Sequence, residues 1–155
     1  MNVLGISCYY HDSGAALVRD GQLVAAAEEE RFNRQKHYSE FPTQAVAYCL
    51  KEAGITLDQV DHIGFYEKPF TKFNRILETI LAVWPRSYGP WLQSMPVWLT
   101  SKLNLSRAIQ KELKTDKEIL FCQHHLSHAA SAFLVSPFRE AAIITADGVG
   151  EWTTT

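Results

Sequence analysis

The sequence predicts an α/β fold built around a mixed β-sheet, and two observations carry this prediction. Apolar runs suited to short strands open the chain in close succession, and a tight turn at Asp20-Gly21 separates two of them, which is typical of an antiparallel meander. From residue 42 onward, helical periodicity alternates with further strand-like runs, which is typical of strands joined through helices. The predicted order is therefore β-β-β-α-β-α-β, followed by one more helix and strand.

The first three strands are predicted from runs of apolar and β-branched residues at 3–7, 15–19 and 22–28. Asp20-Gly21 favours a two-residue hairpin loop because both residues tolerate a positive φ. The charged segment EEERFNRQKH then covers residues 28–37. It predicts a connection that leaves the sheet.

The remaining elements follow from helix signals and apolar runs. A helix is predicted from Pro42 to Ala53, since proline suits the first helical turn and Gly54 is well placed to end the helix. Residues 84–96, WPRSYGPWLQSMP, are expected to form an ordered loop because they are rich in proline, glycine and tryptophan. The other predictions are strands at 61–66, 118–122 and 141–146 and helices at 70–83, 97–114 and 127–134.

This order of elements is that of the ribonuclease-H-like fold, which actin-like ATPases also use, and the comparison is an analogy of fold alone. The sequence also contains a weak internal repeat. Residues 4–17 and 141–155 each contain a strand-like run and then a polar turn, with Asp12-Ser13-Gly14 in the first and Asp147-Gly148 in the second. We therefore expect a first subdomain over residues 1–138 and the truncated start of a duplicated second subdomain over residues 139–155.

Composition narrows the class of protein. The net charge of −2 and the lack of a basic stripe argue against nucleic-acid binding. Three widely spaced cysteines support neither a disulfide framework nor a cysteine zinc site, and they favour a reducing compartment. The first residues lack the basic region of a signal peptide, and the apolar run at 76–84 is too short to span a bilayer. We expect a cytoplasmic protein that does not bind membranes.

The sharpest chemical signal is the pair His124 and His128, within FCQHHLSHAASAF. Four residues apart on a helix, two imidazoles lie on one face and suit a shared divalent metal ion. Two imidazoles suit zinc, iron, nickel and copper alike, and a third ligand has to come from elsewhere. The alternative is that these histidines cap the helix start or lie in a polar interface.

A second signal is the turn from Asp147 to Gly150. Glycines such as Gly148 and Gly150 after a buried strand let backbone N–H groups approach phosphate oxygens, and Asp147 suits a cation or a hydroxyl. The alternative is a plain hairpin turn.

A third signal is the turn between the first two strands. Asp12 suits general-base work on a hydroxyl or amine, and Ser13 and the backbone of Gly14 suit a phosphate. The alternative is an Asx turn that satisfies its own backbone. Lys36, in the charged run, suits a phosphate or carboxylate, although such runs are commonly solvated faces.

Taken together, the motifs resemble one family. The strings GISxYxHDSGAALVxDG, AAxEEERFxRxKH, FYEKP, HHLSHAASAF, SPF and DGVGEW occur in the order found in the N-terminal half of the O-carbamoyltransferases of the NodU and CmcH type. Members of this family decorate nodulation factors and antibiotics. The resemblance covers nearly the whole chain.

The resemblance implies a Kae1-like subdomain of the actin-like ATPase (ASKHA) fold. It implies that His124 and His128 hold a divalent metal, with iron favoured and zinc as the alternative, and that an aspartate of the second subdomain, beyond this chain, is the third ligand. Ser13, Gly14, Asp147, Gly148 and Gly150 would contact nucleotide or phosphate, with Mg²⁺ as a further candidate ion. His11 and Lys36 would contact substrate.

The resemblance also implies the reaction. A YrdC-like domain outside this chain would convert carbamoyl phosphate and ATP into carbamoyl adenylate. The Kae1-like cleft would then pass the carbamoyl group to a hydroxyl of a small-molecule acceptor, assisted by Asp12 as catalytic base. We expect the chain alone to be inactive, because the second subdomain and the YrdC-like domain would both be required.

Two alternatives stay open. The chain resembles, more distantly, the Kae1-like proteins of tRNA modification, although the lack of a basic patch argues against that function. It could also be a non-catalytic interaction module that binds a partner through an unpaired cleft face. The sequence specifies neither the acceptor, nor the metal, nor the oligomeric state.

Overall fold

The computed structural model describes residues 1–100 and 104–148. Its strands are Asn2–Ser7 (β1), Gly14–Arg19 (β2), Gln22–Glu28 (β3), His62–Phe65 (β4) and Ile119–Phe121 (β5). Its helices are Glu30–Asn33 (α1), Thr43–Ala53 (α2), Pro69–Ala82 (α3), Tyr88–Thr100 (α4), Leu105–Leu113 (α5) and His124–Phe133 (α6), with a 3₁₀ turn at Leu57–Gln59.

The five strands form one mixed sheet in the order β3-β2-β1-β4-β5. The pairs β1–β2 and β2–β3 are antiparallel, whereas β4 pairs in parallel with both β1 and β5. The predicted meander and the predicted α/β class with a mixed sheet are therefore confirmed. The assignment to the ribonuclease-H-like fold stays a prediction.

The sheet and α2 share an apolar core. Leu4, Leu17 and Ile63 are completely buried, as expected for strands that direct every second side chain to the interior. Helix α2 ends as predicted at Gly54, whose positive φ of 63° places it in the left-handed region, where its N–H bonds the carbonyl of Lys51.

The chain divides into two compact units. One comprises Met1–Tyr66 with Ile109–Phe121, and the other comprises Glu67–Ala108 with the described residues from Cys122 onward. The predicted subdomain boundary at residue 138 is a different division and stays a prediction.

Helix α4 corrects the prediction for residues 84–96. The expected loop is largely helical, because Pro90 lies in the first turn of α4, where a missing N–H costs little, and only Pro96 is internal. Packing then offsets the weak helix propensity, since Met95 is buried and the Trp98 ring lies 5.7 Å from that of Phe73 in α3. The predicted helix 97–114 is instead the end of α4 and a separate α5, and residues 101–103 lie outside the described part.

The predicted strand at 141–146 is also wrong. Within the described residues this segment forms no ladder with another strand, and Ile144 is 91% exposed. An apolar run becomes a strand only where a neighbouring backbone accepts its hydrogen bonds. Here the segment is linked to α6 by side chains, including a 2.7 Å contact between His125 Nδ1 and Thr145 Oγ1.

None of the helices in the described part of the chain is long and apolar enough to cross a membrane.

Candidate metal centre and the Asp12 loops

The start of α6 places two imidazoles beside a carboxylate. The Nε2 atoms of His124 and His128 lie 3.1 Å apart, as the i, i+4 spacing predicts. Asp147 Oδ2 lies 2.5 Å from Nε2 of His124 and 3.8 Å from Nε2 of His128. All three potential ligand atoms are within 4.8 Å of one another, so the fold collects a His-His-Asp group at one point.

This donor set fits a divalent transition metal. Two neutral imidazoles and one carboxylate are ligands that zinc and iron(II) both accept, and three protein ligands are typical of metal sites that keep a position open for chemistry. The His124 side chain is 11% exposed and that of Asp147 is 25% exposed, whereas His128 is half exposed. The group is thus partly shielded from water and still reachable from it.

Asp147 reaches this centre from outside the helix. The family resemblance implied an aspartate beyond this chain as the third ligand and placed Asp147 in a phosphate loop, although a cation also suited it on sequence grounds. The structure instead brings Asp147 onto the histidine pair. Gly148 follows directly, and Gly150 lies outside the described residues, so phosphate binding by this turn stays a prediction.

A second carboxylate lies on the other side of His124. Glu67 Oε2 is 3.9 Å from Nδ1 of His124 and 2.8 Å from the Nζ of Lys72. Glu67 lies in the string FYEKP, and no chemical role for it follows from the sequence. The one sequence feature that could have indicated a role for Glu67 is its position as an acidic residue between an apolar run and Pro69, the proline that begins α3.

Asp12 lies in a different arrangement, in the first compact unit. Its Oδ2 accepts a 2.8 Å hydrogen bond from His11 Nδ1, and its Oδ1 accepts one of 3.1 Å from His37 Nδ1. Residues 8–13, after β1, and residues 34–42, before α2, are called the Asp12 loops. Two backbone hydrogen bonds join them, from the N–H of Tyr9 to the carbonyl of Ser39 and from that of Ser13 to the carbonyl of Tyr38. Sequence reasoning missed His37, since nothing local links it to Asp12.

The backbone and the charge of these loops are both unusual. Asp12 and His37 have φ values of 50° and 56°, a region uncommon for residues with a side chain. The hydrogen bond from His11, and then the one from His37, lower the pKa of the Asp12 carboxyl. A carboxylate with a lowered pKa is a weaker base than usual, so this geometry suits Asp12 to orient the two imidazoles. The role of Asp12 as a catalytic base stays a prediction.

The remaining predicted residues of these loops differ in exposure. Ser13 is buried, and its Oγ has no hydrogen-bond partner among the described residues. At Gly14 an added Cβ would lie 2.9 Å from the carbonyl oxygen of Ala27, so close strand packing already requires glycine there. Lys36 is exposed beside His37. The phosphate and substrate contacts predicted for Ser13, Gly14, His11 and Lys36 stay predictions.

The mixed sheet and the His-His-Asp group define an α/β protein with a candidate transition-metal site. The sequence matches the family described as Carbamoyltransferase N-terminus over residues 2–155, and the chain belongs to this family. The resemblance seen in the motifs is therefore confirmed.

Three relatives give the scale of this likeness. The chain is 54% identical to the uncharacterized protein sll1178 of Synechocystis sp. over 99% of its own length and 26% of the relative. It is 40% identical to the nodulation protein NolNO of Sinorhizobium fredii, over 93% of this chain and 20% of that protein. It is 27% identical to the nodulation protein U of Rhizobium tropici, over 91% of this chain and 24% of that protein. The chain thus spans between 20% and 26% of the length of these relatives.

Proposed function

We propose that this chain is the N-terminal part of an O-carbamoyltransferase, which transfers a carbamoyl group from carbamoyl adenylate to a hydroxyl of a small-molecule acceptor. Membership of the carbamoyltransferase family gives the reaction class. The single structural observation that carries the proposal is the convergence of His124, His128 and Asp147 on one point. With a divalent metal bound, such a group is suited to stabilise the negative charge that develops on a phosphate leaving group.

The chemistry sets two requirements. The attacking hydroxyl has to lose its proton as its oxygen bonds to the carbamoyl carbon, and AMP has to leave with the electrons of the broken C–O bond. A divalent metal, when bound, supplies electrostatic stabilisation for phosphate oxygens. His124, His128 and Asp147 would hold that ion, with iron favoured and zinc as the alternative.

The Asp12 loops would supply the acid–base groups. A carboxylate that accepts from Nδ1–H of an imidazole leaves Nε2 as the basic atom, and this holds for both His11 and His37. The exposed ammonium of Lys36 would attract the carbamoyl or phosphate oxygens of the substrate. Ser13, Gly14 and Gly148 would each contact nucleotide or phosphate, with Mg²⁺ accompanying ATP.

The proposal includes partners outside this chain. A second subdomain would complete the cleft, and a YrdC-like domain would make carbamoyl adenylate from carbamoyl phosphate and ATP. The strand order β3-β2-β1-β4-β5 supports a Kae1-like subdomain of the actin-like ATPase class. A cytoplasmic location fits this chemistry, since ATP and carbamoyl phosphate are intracellular metabolites.

The metal content of the purified chain tests the proposal. After anaerobic purification, elemental analysis is expected to find close to one equivalent of iron or zinc per chain. The double variant His124→Ala/His128→Ala is expected to lose it, because one aspartate alone holds such an ion weakly. His62→Ala, on β4 in the other compact unit, is the matched control and should keep its metal.

Two results would contradict this assignment. One is a wild-type chain that takes up neither iron(II) nor zinc(II) when these are supplied during refolding or dialysis. The other is equal metal content in the wild type and the double variant, which would place the ion elsewhere.

A further inference from the structure

Glu67 and Lys72 form a largely buried ion pair beside the candidate metal centre. Their side chains are each 12% exposed, and the Nζ–Oε2 distance is 2.8 Å. Removing two charges from water is costly, and well-packed apolar residues often serve stability as well or better. Stability alone therefore gives a weak reason for this pair.

Its position gives a stronger reason. Glu67 Oε2 lies 3.9 Å from Nδ1 of His124, while Nε2 of the same ring contacts Asp147. Each nitrogen of this buried imidazole thus faces a carboxylate. Glu67 is not one of the three residues whose ligand atoms cluster within 4.8 Å.

We propose that Glu67 is a positioning residue of the metal centre. Its carboxylate faces Nδ1 of His124 at 3.9 Å, and this negative charge favours the tautomer in which Nδ1 carries the proton and Nε2 is the unprotonated ligand atom. Lys72 holds the carboxylate in place. This role rests on the metal centre proposed above. Carboxylates that accept from the second nitrogen of a ligating histidine orient the ring and raise its basicity, and their loss commonly weakens metal binding by about 10- to 100-fold.

Lys72 has a defined part in this arrangement. Its ammonium lies 2.8 Å from Oε2 of Glu67, and without it the largely buried carboxylate would lose this counterion. The ion pair therefore keeps a charged Glu67 carboxylate beside His124, in a place where both side chains of the pair are largely shielded from water. Lys72 lies in the first turns of α3, which begins at Pro69, so the helix start fixes its position.

Titration of the metal-free chain with zinc(II) against a chromophoric chelator tests the role. Glu67→Gln keeps the shape of the side chain but removes its charge, and it is expected to weaken zinc binding by about tenfold or more. Glu78→Gln is the matched control, since Glu78 is an exposed carboxylate on α3, the helix that carries Lys72, and it accepts from Asn74. Cobalt(II) in place of zinc should show a changed visible spectrum in Glu67→Gln, because the basicity of one ligand has changed.

A second variant guards against misfolding. Glu67→Leu/Lys72→Met replaces the whole pair by apolar side chains of similar size, so no buried charge is left alone. It is expected to fold, as judged by circular dichroism, and to bind zinc at least tenfold more weakly than the wild type.

The outcomes separate the two proposals. If the wild type binds zinc and both variants bind it within twofold of the wild type, the role of Glu67 is wrong and the metal centre stands. If the wild type binds no metal at all, the metal centre itself is wrong, and the role of Glu67 falls with it.

Discussion

Asp12 shows how a single carboxylate can organise two loops. His11 and His37 donate to different oxygens of this one side chain, so the loop after β1 and the segment before α2 meet at Asp12. The positive φ values at Asp12 and His37 indicate that this meeting is held against ordinary backbone preference. Backbone strain of this kind concentrates at functional sites.

The titration of Asp12 is a direct test. Its pKa should lie below the ordinary aspartate value of about 3.9, and His11→Ala should raise it more than His37→Ala, since the His11 hydrogen bond is the larger cause. Because the folded-state pKa is lowered, the stabilising effect is present above the unfolded pKa and is lost as the pH falls through the folded pKa. Carboxyl chemical shifts measured by NMR between pH 2 and 6 would give the Asp12 pKa in the wild type and in each of the two variants.

Asp20 supplies the internal control for that titration. The N-terminal ammonium lowers the pKa of its carboxyl, so Asp20 should keep its titration curve in His11→Ala. An Asp12 carboxyl that titrates normally in the wild type, or does not respond to His11→Ala, would contradict the clustered geometry.

The site residues differ in how far the sequence predicted them. The pair His124–His128 follows from helical spacing alone, and the structure confirms that geometry. Asp147 and His37 lie 23 and 25 residues from the groups that they contact, so only tertiary folding brings them there. Glu67 was missed for the same reason. Local patterns predicted the centre of the site and not its surroundings.

Among the elements, α2 is held at its N-terminus by a carboxylate from outside the helix. Glu29 is 3% exposed, and its Oε2 accepts from the N–H of Ala45 at 2.8 Å. Its Oε1 accepts from the N–H and the side-chain amide of Gln44. A negative charge at this end of a helix also suits the helix dipole. Glu29 thus replaces the side-chain cap that Pro42, at the N-cap position, cannot provide.

Glu29→Gln should therefore destabilise the protein. The amide of glutamine has only one acceptor oxygen, and its NH₂ group would face a backbone N–H that is itself a donor. At least one N–H in the first turn of α2 therefore loses its partner, at a cost of about 1–3 kcal/mol. Urea unfolding followed by circular dichroism measures the change in the free energy of unfolding. Glu28→Gln is the control, because Glu28 is exposed and its pairing with Arg31 at 3.8 Å contributes little. Equal stability of the two variants would show that Glu29 does not cap α2.

Element prediction succeeded where local signals agreed and failed where packing decided. The hairpin at Asp20-Gly21 and the end of α2 at Gly54 both depend on local backbone preference, and both are confirmed. The helix over Tyr88–Thr100 was missed because its prolines and glycine suggested a loop, whereas contacts with α3 favour the helix. The apolar composition of residues 141–146 predicts a strand, but composition does not reveal whether a sheet edge is available to pair with it.

At the scale of the whole molecule, the proposed function is divided between this chain and further domains outside it. Residues 2–155 match the family described as Carbamoyltransferase N-terminus, and the chain spans between 20% and 26% of the length of the three relatives named above. The chain holds the candidate metal ligands and the Asp12 loops. In the proposed function, a YrdC-like domain outside this chain would form carbamoyl adenylate.

We therefore predict that the 155-residue chain binds metal without turning over carbamoyl phosphate. Incubation with carbamoyl phosphate, ATP and a panel of hydroxylated sugars should yield no AMP and no carbamoylated product above the level of His124→Ala/His128→Ala, because the activated donor is never made. The full-length Synechocystis relative, 54% identical over 99% of this chain, is the comparison in the same assay. Product formation by the short chain would show that it also activates the carbamoyl group, and the division of labour proposed here would be wrong. Product from the full-length relative alone would support that division.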